Sequence, residues 1–319
     1  MSCMTDPPLP TLEAIRSAQT RIAGQVKRTA APTSHLLSEL TGATVYLKLE
    51  IEQPTGSFKV RGACNAIRAA AERGEVSGVT TASTGNHARA VAHMGHRFGL
   101  PVTAFLARTV PEYRVRALEQ LGAQVDHTSQ DQTAAIEAAT RLADDRGFLF
   151  VPPFDHPEVI SGQGTIGLEL VEDLPPLDAV IVPVSGGGLI GGIGLAVKGL
   201  THSTQVVGVC AERADTMYRS LRAGHPVSID EVDTVATSLL GDLGPDNRYT
   251  FRIAQQVIDE IDTVSEDQLH RALQTLREHD GLEVEGAAAA GVAFLQSDPD
   301  RWRGSRIAVV ITGNSAPPS

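Results

Sequence analysis

Val79-Thr-Thr-Ala-Ser-Thr-Gly-Asn-His87 runs from β-branched residues into a glycine turn, and Ala88 to Phe98 then carries helical spacing. Strand, turn and helix recur directly downstream. Pro101 to Leu106 predicts a strand, Tyr113 to Leu121 a helix, Ala123 to Thr128 a strand, Gln132 to Asp144 a helix and Phe148 to Val151 a fourth strand. Such alternation implies parallel strands joined by crossover helices. Pro152-Pro-Phe-Asp-His-Pro157 breaks the pattern and predicts the crossing into another lobe.

Outward from this block the theme continues. Upstream, Thr11 to Val26 has one apolar side, Ser38 to Gly42 closes a short helix on glycine, and Ala43 to Glu50 alternates as a strand. Downstream, helices are predicted at Gly164 to Leu174, Gly191 to Gly199, Phe251 to Asp259, Glu266 to His279 and Ala287 to Leu295. Strands are predicted at Ala179 to Pro183, Val206 to Ala211 and Arg306 to Ile311. The fold class is α/β with two lobes: 78–152 forms the small domain, and 1–77 with 153–319 the large one.

With 319 residues the chain can bury a sizeable core. A net charge of -11 argues against a nucleic-acid-binding surface. Cys3, Cys64 and Cys210 are too scattered for a disulfide framework or a zinc site, and the ten histidines show no metal-ligand spacing, so no metal is expected. The first ten residues lack the basic start and apolar run of a signal peptide. Ala179 to Val197 is uncharged over a membrane-span length, but its glycines and Pro183 predict strand, turn and helix instead. A cytoplasmic protein that meets neither membrane nor nucleic acid is expected.

Two kinds of motif carry chemistry. Gln53-Pro-Thr-Gly-Ser-Phe-Lys59 places a lysine after a glycine-containing turn and beside an aromatic ring. An amine attacks a carbonyl only when unprotonated, so a nucleophilic lysine needs a desolvating site or nearby positive charge; apolar residues and Arg61 lie close in sequence. Ser185-Gly-Gly-Gly-Leu-Ile-Gly-Gly192 follows an apolar strand and opens a helix, where close backbone approach and free N–H groups favour a phosphate. Ser83-Thr-Gly-Asn-His87 is a second strand-to-helix turn, suited to a carboxylate or a phenolic oxygen. Gly186, Gly188 and Gly191, with Glu212 after the next strand, also spell a dinucleotide fingerprint. A nicotinamide-dependent oxidoreductase is therefore an alternative, though it leaves Lys59 and the Asn86 turn without a task.

Ser57-Phe-Lys59, Ser83-Thr-Gly-Asn-His87, Gly162-Gln-Gly-Thr-Ile-Gly167 and Ser185-Gly-Gly-Gly-Leu189 together resemble the fold-type II (tryptophan synthase β-like) pyridoxal-phosphate enzymes, in the branch of threonine dehydratases and serine racemases. Pro152 to His156, Gly244 to Phe251 and Val284 to Ala287 are most similar to the hydroxyectoine-utilisation dehydratases. The resemblance implies two lobes, each with a largely parallel twisted sheet flanked by helices, and a homodimer. It implies that Lys59 holds pyridoxal 5'-phosphate as a Schiff base and moves the substrate's α-proton, with Phe58 against the ring. Asn86 would bond the phenolic oxygen, Ser185, Gly186, Gly187, Gly188 and Leu189 the phosphate, and Thr312 the pyridine nitrogen. Ser83, Thr84, Gly85, Asn86 and His87 would hold the substrate carboxylate. Thr84 stands where racemases have a serine that protonates the opposite face. Cation-binding members have a glutamate and an aspartate where this chain has Cys210 and Thr216.

The implied activity is loss of water from a β-hydroxy amino acid, leaving a keto acid and ammonia. A serine or threonine racemase of the same fold and a silent binding protein are the other readings. Phe154, Asp155, Asp246, Asn247 and Arg248 are placed at a pocket mouth, which would favour a longer polar substrate such as a hydroxyectoine-derived hydroxy-diamino acid.

Overall fold

The computed structural model describes residues 6–83, 85–230, 232–244 and 246–314. Two parallel sheets organise them. The smaller has strand order β4-β3-β2-β5 and is built from β2 (Val79–Thr81), β3 (Val102–Ala107), β4 (Gln124–Ser129) and β5 (Leu149–Phe150). The larger runs β1-β9-β6-β7-β8, from β1 (Thr44–Leu49), β6 (Ala179–Pro183), β7 (Gln205–Ala211), β8 (Glu260–Val264) and β9 (Arg306–Ile311).

Alternation along each large-sheet strand sends neighbouring side chains to opposite faces. Val45, Leu47, Ile181, Val207, Val209, Ile307 and Val309 enter one core, with Leu269, Leu276 and Val292 from α11 (Glu266–His279) and α12 (Ala290–Ser297). Val180, Val182, Val206, Cys210, Ala308 and Val310 enter the other, with Ile166 of α7 (Pro157–Asp173) and Ile190 of α8 (Gly188–Leu200). The small sheet likewise buries Val79, Val102 and Leu106 against α3 (Lys59–Glu72) and α4 (Asn86–Arg97), while Phe105 meets α6 (Gln132–Arg146) on its other face.

Helix α7 begins at Pro157, seven residues before the predicted start at Gly164. Proline suits the first helical position, and the His156 ring accepts the Glu158 N–H at 3.2 Å. The glycines that suggested a break serve helix contact instead. A Cβ on Gly162 would stand 2.7 Å from the Arg61 carbonyl oxygen, and one on Gly192 would stand 2.3 Å from the Ile160 carbonyl oxygen. Alpha-helix α3 therefore lies directly on α7, and α7 on α8. Strand β8 and helix α9 (Thr216–Ala223) were not predicted. Strand β8 is an edge strand with only Val264 fully buried, so it shows no strong apolar alternation.

Candidate active site

The turn before Lys59 is tied to the end of β9. Ser57 and Gly313 form an antiparallel bridge, and the Phe58 N–H donates to the Thr312 carbonyl at 3.1 Å. Lys59 opens α3, and its amine donates to the Pro153 carbonyl at 2.7 Å, across the break that follows β5. Part of the side chain keeps some exposure, while the amine is desolvated. Burial brings it from 10.5 down to about 8, against the opposing pull of the Glu285 carboxylate. The Phe58 ring centroid is 5.1 Å from that amine.

Arg61 does not supply the positive charge that sequence proximity suggested. Its guanidinium is fully buried on Glu50 and Glu169, and the fall in the Lys59 pKa comes from desolvation.

Asn86 and His87 are the first residues of α4 rather than part of the turn. The Asn86 amide donates to both oxygens of Glu285, at 3.0 and 3.1 Å. Burial raises the Glu285 carboxyl, against hydrogen bonds from Asn86 and Ser238 and the charges of Arg89 and Lys59. A Cβ on Gly313 would lie 3.1 Å from both Glu285 Oε1 and Ser57 Cβ, and 3.2 Å from the Asn86 amide nitrogen. The lysine turn, the start of α4, Glu285 and the end of β9 thus meet in one niche. Glu285 had no assigned role in the sequence; its place inside the short Val284 to Ala287 match was the available signal.

The His87 ring is committed. Its Nε2 lies 2.8 Å from the Val151 carbonyl oxygen, so Nε2 carries the proton and donates. Burial, then the Lys59 charge, lowers the ring to about 3. A neutral ring of this tautomer has only an acceptor left at Nδ1, so the ring offers an anion at this turn no donor. Ser83 Oγ accepts the Gly85 N–H at 3.4 Å, and Gly85 is exposed. Thr84 lies outside the described residues.

On the opposite side, Ser185 to Gly187 leads into α8. The Gly191 N–H bonds the Gly187 carbonyl at 2.8 Å, and the amides before it, up to Leu189 and Ile190, have no partner within the helix. Gly187 takes φ +85°, and a Cβ there would be 2.6 Å from Met217. Cβ atoms on Gly186 and Gly188 would strike Phe154 at 2.5 and 3.0 Å. Since Pro153 holds Lys59 and Phe154 backs the glycine loop, one short segment joins the two parts of the site.

Of the residues expected at a pocket mouth, Asp246 and Arg248 are exposed, whereas Asp155 and Asn247 have other work. Asp155 accepts the N–H groups of Arg248, Tyr249 and Thr250 at 2.7, 2.9 and 2.8 Å, capping α10 (Thr250–Val257). The Asn247 side chain donates to Thr250 Oγ1 and accepts from the Phe251 N–H. Cys210 is fully buried, its thiol pushed up to about 12 by burial, and Thr216 donates to the Gly241 carbonyl at 3.1 Å. Among the described residues, no group of three or more His, Cys, Asp or Glu side chains could hold a metal ion, and no helix is long and apolar enough to cross a membrane.

With a lysine amine desolvated to about 8, an open amide cup and a polar niche in place, the chain belongs to the pyridoxal-phosphate dependent enzymes, whose family pattern matches residues 22–313. It is 41% identical over 309 residues to the L-threonine ammonia-lyase of Thermotoga maritima, spanning 96% of this chain and 75% of that one. Identity to the beta-hydroxyaspartate dehydratase of Paracoccus denitrificans is 34% over 96% of each chain. The solved structure of maize serine racemase matches with a TM-score of 0.91 at 31% identity, over 97% of this chain and 94% of that one.

The family decides between the two enzyme classes left open by the glycine loop: the cofactor is pyridoxal phosphate. The niche fits it. Thr312 is buried as a residue, 4% exposed, and among the described residues Ser57 Oγ, Thr55 Oγ1 and His87 Nδ1 are buried without partners. Polar atoms left in this state call for a polar occupant or water.

Proposed function

We propose that this chain is a pyridoxal-phosphate-dependent ammonia-lyase that removes water from a β-hydroxy amino acid and releases a keto acid and ammonia. The carrying observation is the Lys59 amine, desolvated to about 8 within the niche formed by Asn86, Glu285 and Gly313. The bound cofactor supplies the electron sink that lets a Cα–H bond break. Lys59 holds it and serves as the proton carrier at Cα, since an amine titrating near neutrality can both take and return a proton.

Phe58 packs against the ring. Asn86, oriented by Glu285, serves the phenolic oxygen. Ser185, Gly186, Gly187, Gly188 and Leu189 bind the phosphate, and Thr312 faces the ring nitrogen. Ser83, Gly85 and the backbone amides of Asn86 and His87 hold the substrate carboxylate. Residues 1–77 with 153–319 make the cofactor domain and 78–152 the small domain, in a cytoplasmic homodimer.

For substrate choice, Asp155 and Asn247 are spent on caps, so two of the polar groups expected to meet a longer polar substrate are already paired. Threonine or serine is therefore favoured over a hydroxy-diamino acid, by roughly tenfold or more in kcat/KM. Purified protein should be yellow and form keto acid from threonine or serine, and Lys59→Ala should lose both properties. A colourless protein that cannot be reconstituted with pyridoxal phosphate would reject the proposal.

A further inference from the structure

Four charged side chains, Lys48, Glu50, Arg61 and Glu169, lie sealed beneath the turn that carries Lys59, with exposures of 1, 0, 0 and 5%. Arg61 grips two carboxylates at once. Its Nε and Nη2 donate to Glu50 at 2.8 and 2.8 Å, while Nη1 and Nη2 donate to Glu169 at 2.6 and 2.9 Å. Nη1 also reaches Thr165 Oγ1 at 3.1 Å, and Nη2 the Lys27 carbonyl at 3.2 Å. Lys48 closes the far side, donating to Glu169 at 2.6 Å and to the Thr29 carbonyl at 2.7 Å; Thr29 and Gln53 donate to Glu50 at 2.6 and 3.1 Å. Two cations and two anions make the group neutral.

Such a cluster is poorly explained as a source of stability. Desolvating four charges costs about as much as their attraction returns, and well-packed apolar replacements often fold as well. Its particular property is direction. A guanidinium held by two bidentate carboxylates fixes its own backbone in position and rotation. Here that backbone is the first turn of α3, two residues after Lys59, and the carboxylates come from the segment after β1 and from α7. The close contact of Gly162 with the Arg61 carbonyl fixes the same turn from the other side.

We propose that Arg61, clamped by Glu50 and Glu169, is a positioning residue that sets where the Lys59 amine stands. This rests on Lys59 being the cofactor lysine. The titratable neighbours acting on that amine, Glu285 and His87, lie outside the clamp.

The test compares the loaded wild type with Arg61→Lys, which keeps the charge but cannot grip two carboxylates in a fork, and with Arg61→Met/Glu50→Gln, which leaves Lys48 and Glu169 as a neutral pair. Measured are kcat and KM separately, the thermal midpoint, and the pH titration of the cofactor's visible band. Positioning predicts a kcat loss of about tenfold or more with KM changed less than about threefold, and a visible-band midpoint displaced by about half a unit or more. These changes should appear even where the double variant melts within a few degrees of wild type. Wild-type kcat and wild-type band titration in a folded variant would overturn the proposal. So would loss of the fold in both variants, which would place the clamp in stability alone. Lys59→Ala, run alongside, separates failure of the clamp from failure of Lys59 itself: only the latter leaves a visible band in that variant unchanged.

Discussion

Lys59 and Glu285 each favour the charged form of the other, and that coupling is measurable. With the amine near 8, about one lysine in ten is neutral at pH 7, and the fraction falls about tenfold for each unit below that. Capture of pyridoxal phosphate by cofactor-free protein should therefore accelerate with pH and level off above about pH 8. The Glu285 carboxylate stabilises the ammonium form, so Glu285→Gln should move this midpoint downward and speed capture near neutrality. Stopped-flow absorbance across roughly pH 6 to 9 checks both statements. An unchanged midpoint in the variant would mean that the two groups do not sense each other.

Among the elements, α10 depends on a residue nearly a hundred positions away. Asp155 satisfies three amide groups at its start, so Asp155→Ala should cost about 1 kcal/mol, in the range of a lost N-cap, measured by urea denaturation. Gly192→Ala belongs to another class. Its new Cβ would meet the Ile160 carbonyl oxygen and the Gly164 amide nitrogen, both backbone, so α7 and α8 must separate; a loss of about 3 kcal/mol is expected in the same measurement. These two sites also mark where the sequence was legible. Strong period and clear punctuation gave β6, β9 and α11 at their observed bounds. The glycine loop and the Lys59 turn were legible because few other residue types permit their geometry. Early α7 was not, since glycine weakens a helix locally and its benefit arises only through α3 and α8. Nor could local pattern disclose that Asp155 and Asn247 are caps or that Arg61 is bound to Glu169, because these partners meet only in the folded chain.

Across the whole molecule, buried histidines predict acid sensitivity. His87 titrates near 3 in the folded chain against 6.5 unfolded, so as pH falls below 6.5 the unfolded chain takes up a proton that the native one refuses. Stability should then fall by about 1.4 kcal/mol per pH unit down to about pH 3 from this group. His156, lowered to about 4 by burial and then Arg73, adds to the decline, while Glu285, raised by burial, opposes it near its own range. Urea midpoints at about pH 7 and 5 measure the slope, and His87→Gln should flatten it; an equal slope in that variant would exclude His87 as a source.

Strand order also imposes a schedule on synthesis. The small sheet uses one continuous stretch, so its strands have all left the ribosome once residue 150 has emerged. Strand β1 must wait for β9, its partner strand in the large sheet among the described residues, and Thr312 follows directly behind β9. For most of translation, the nascent protein holds its lysine turn and one edge of β1 without the strand that pairs with them. Contacts this distant in sequence form slowly. A nascent chain stalled before residue 306 would therefore have no assembled lysine niche and would present an unpaired strand edge to any chaperone near the exit tunnel.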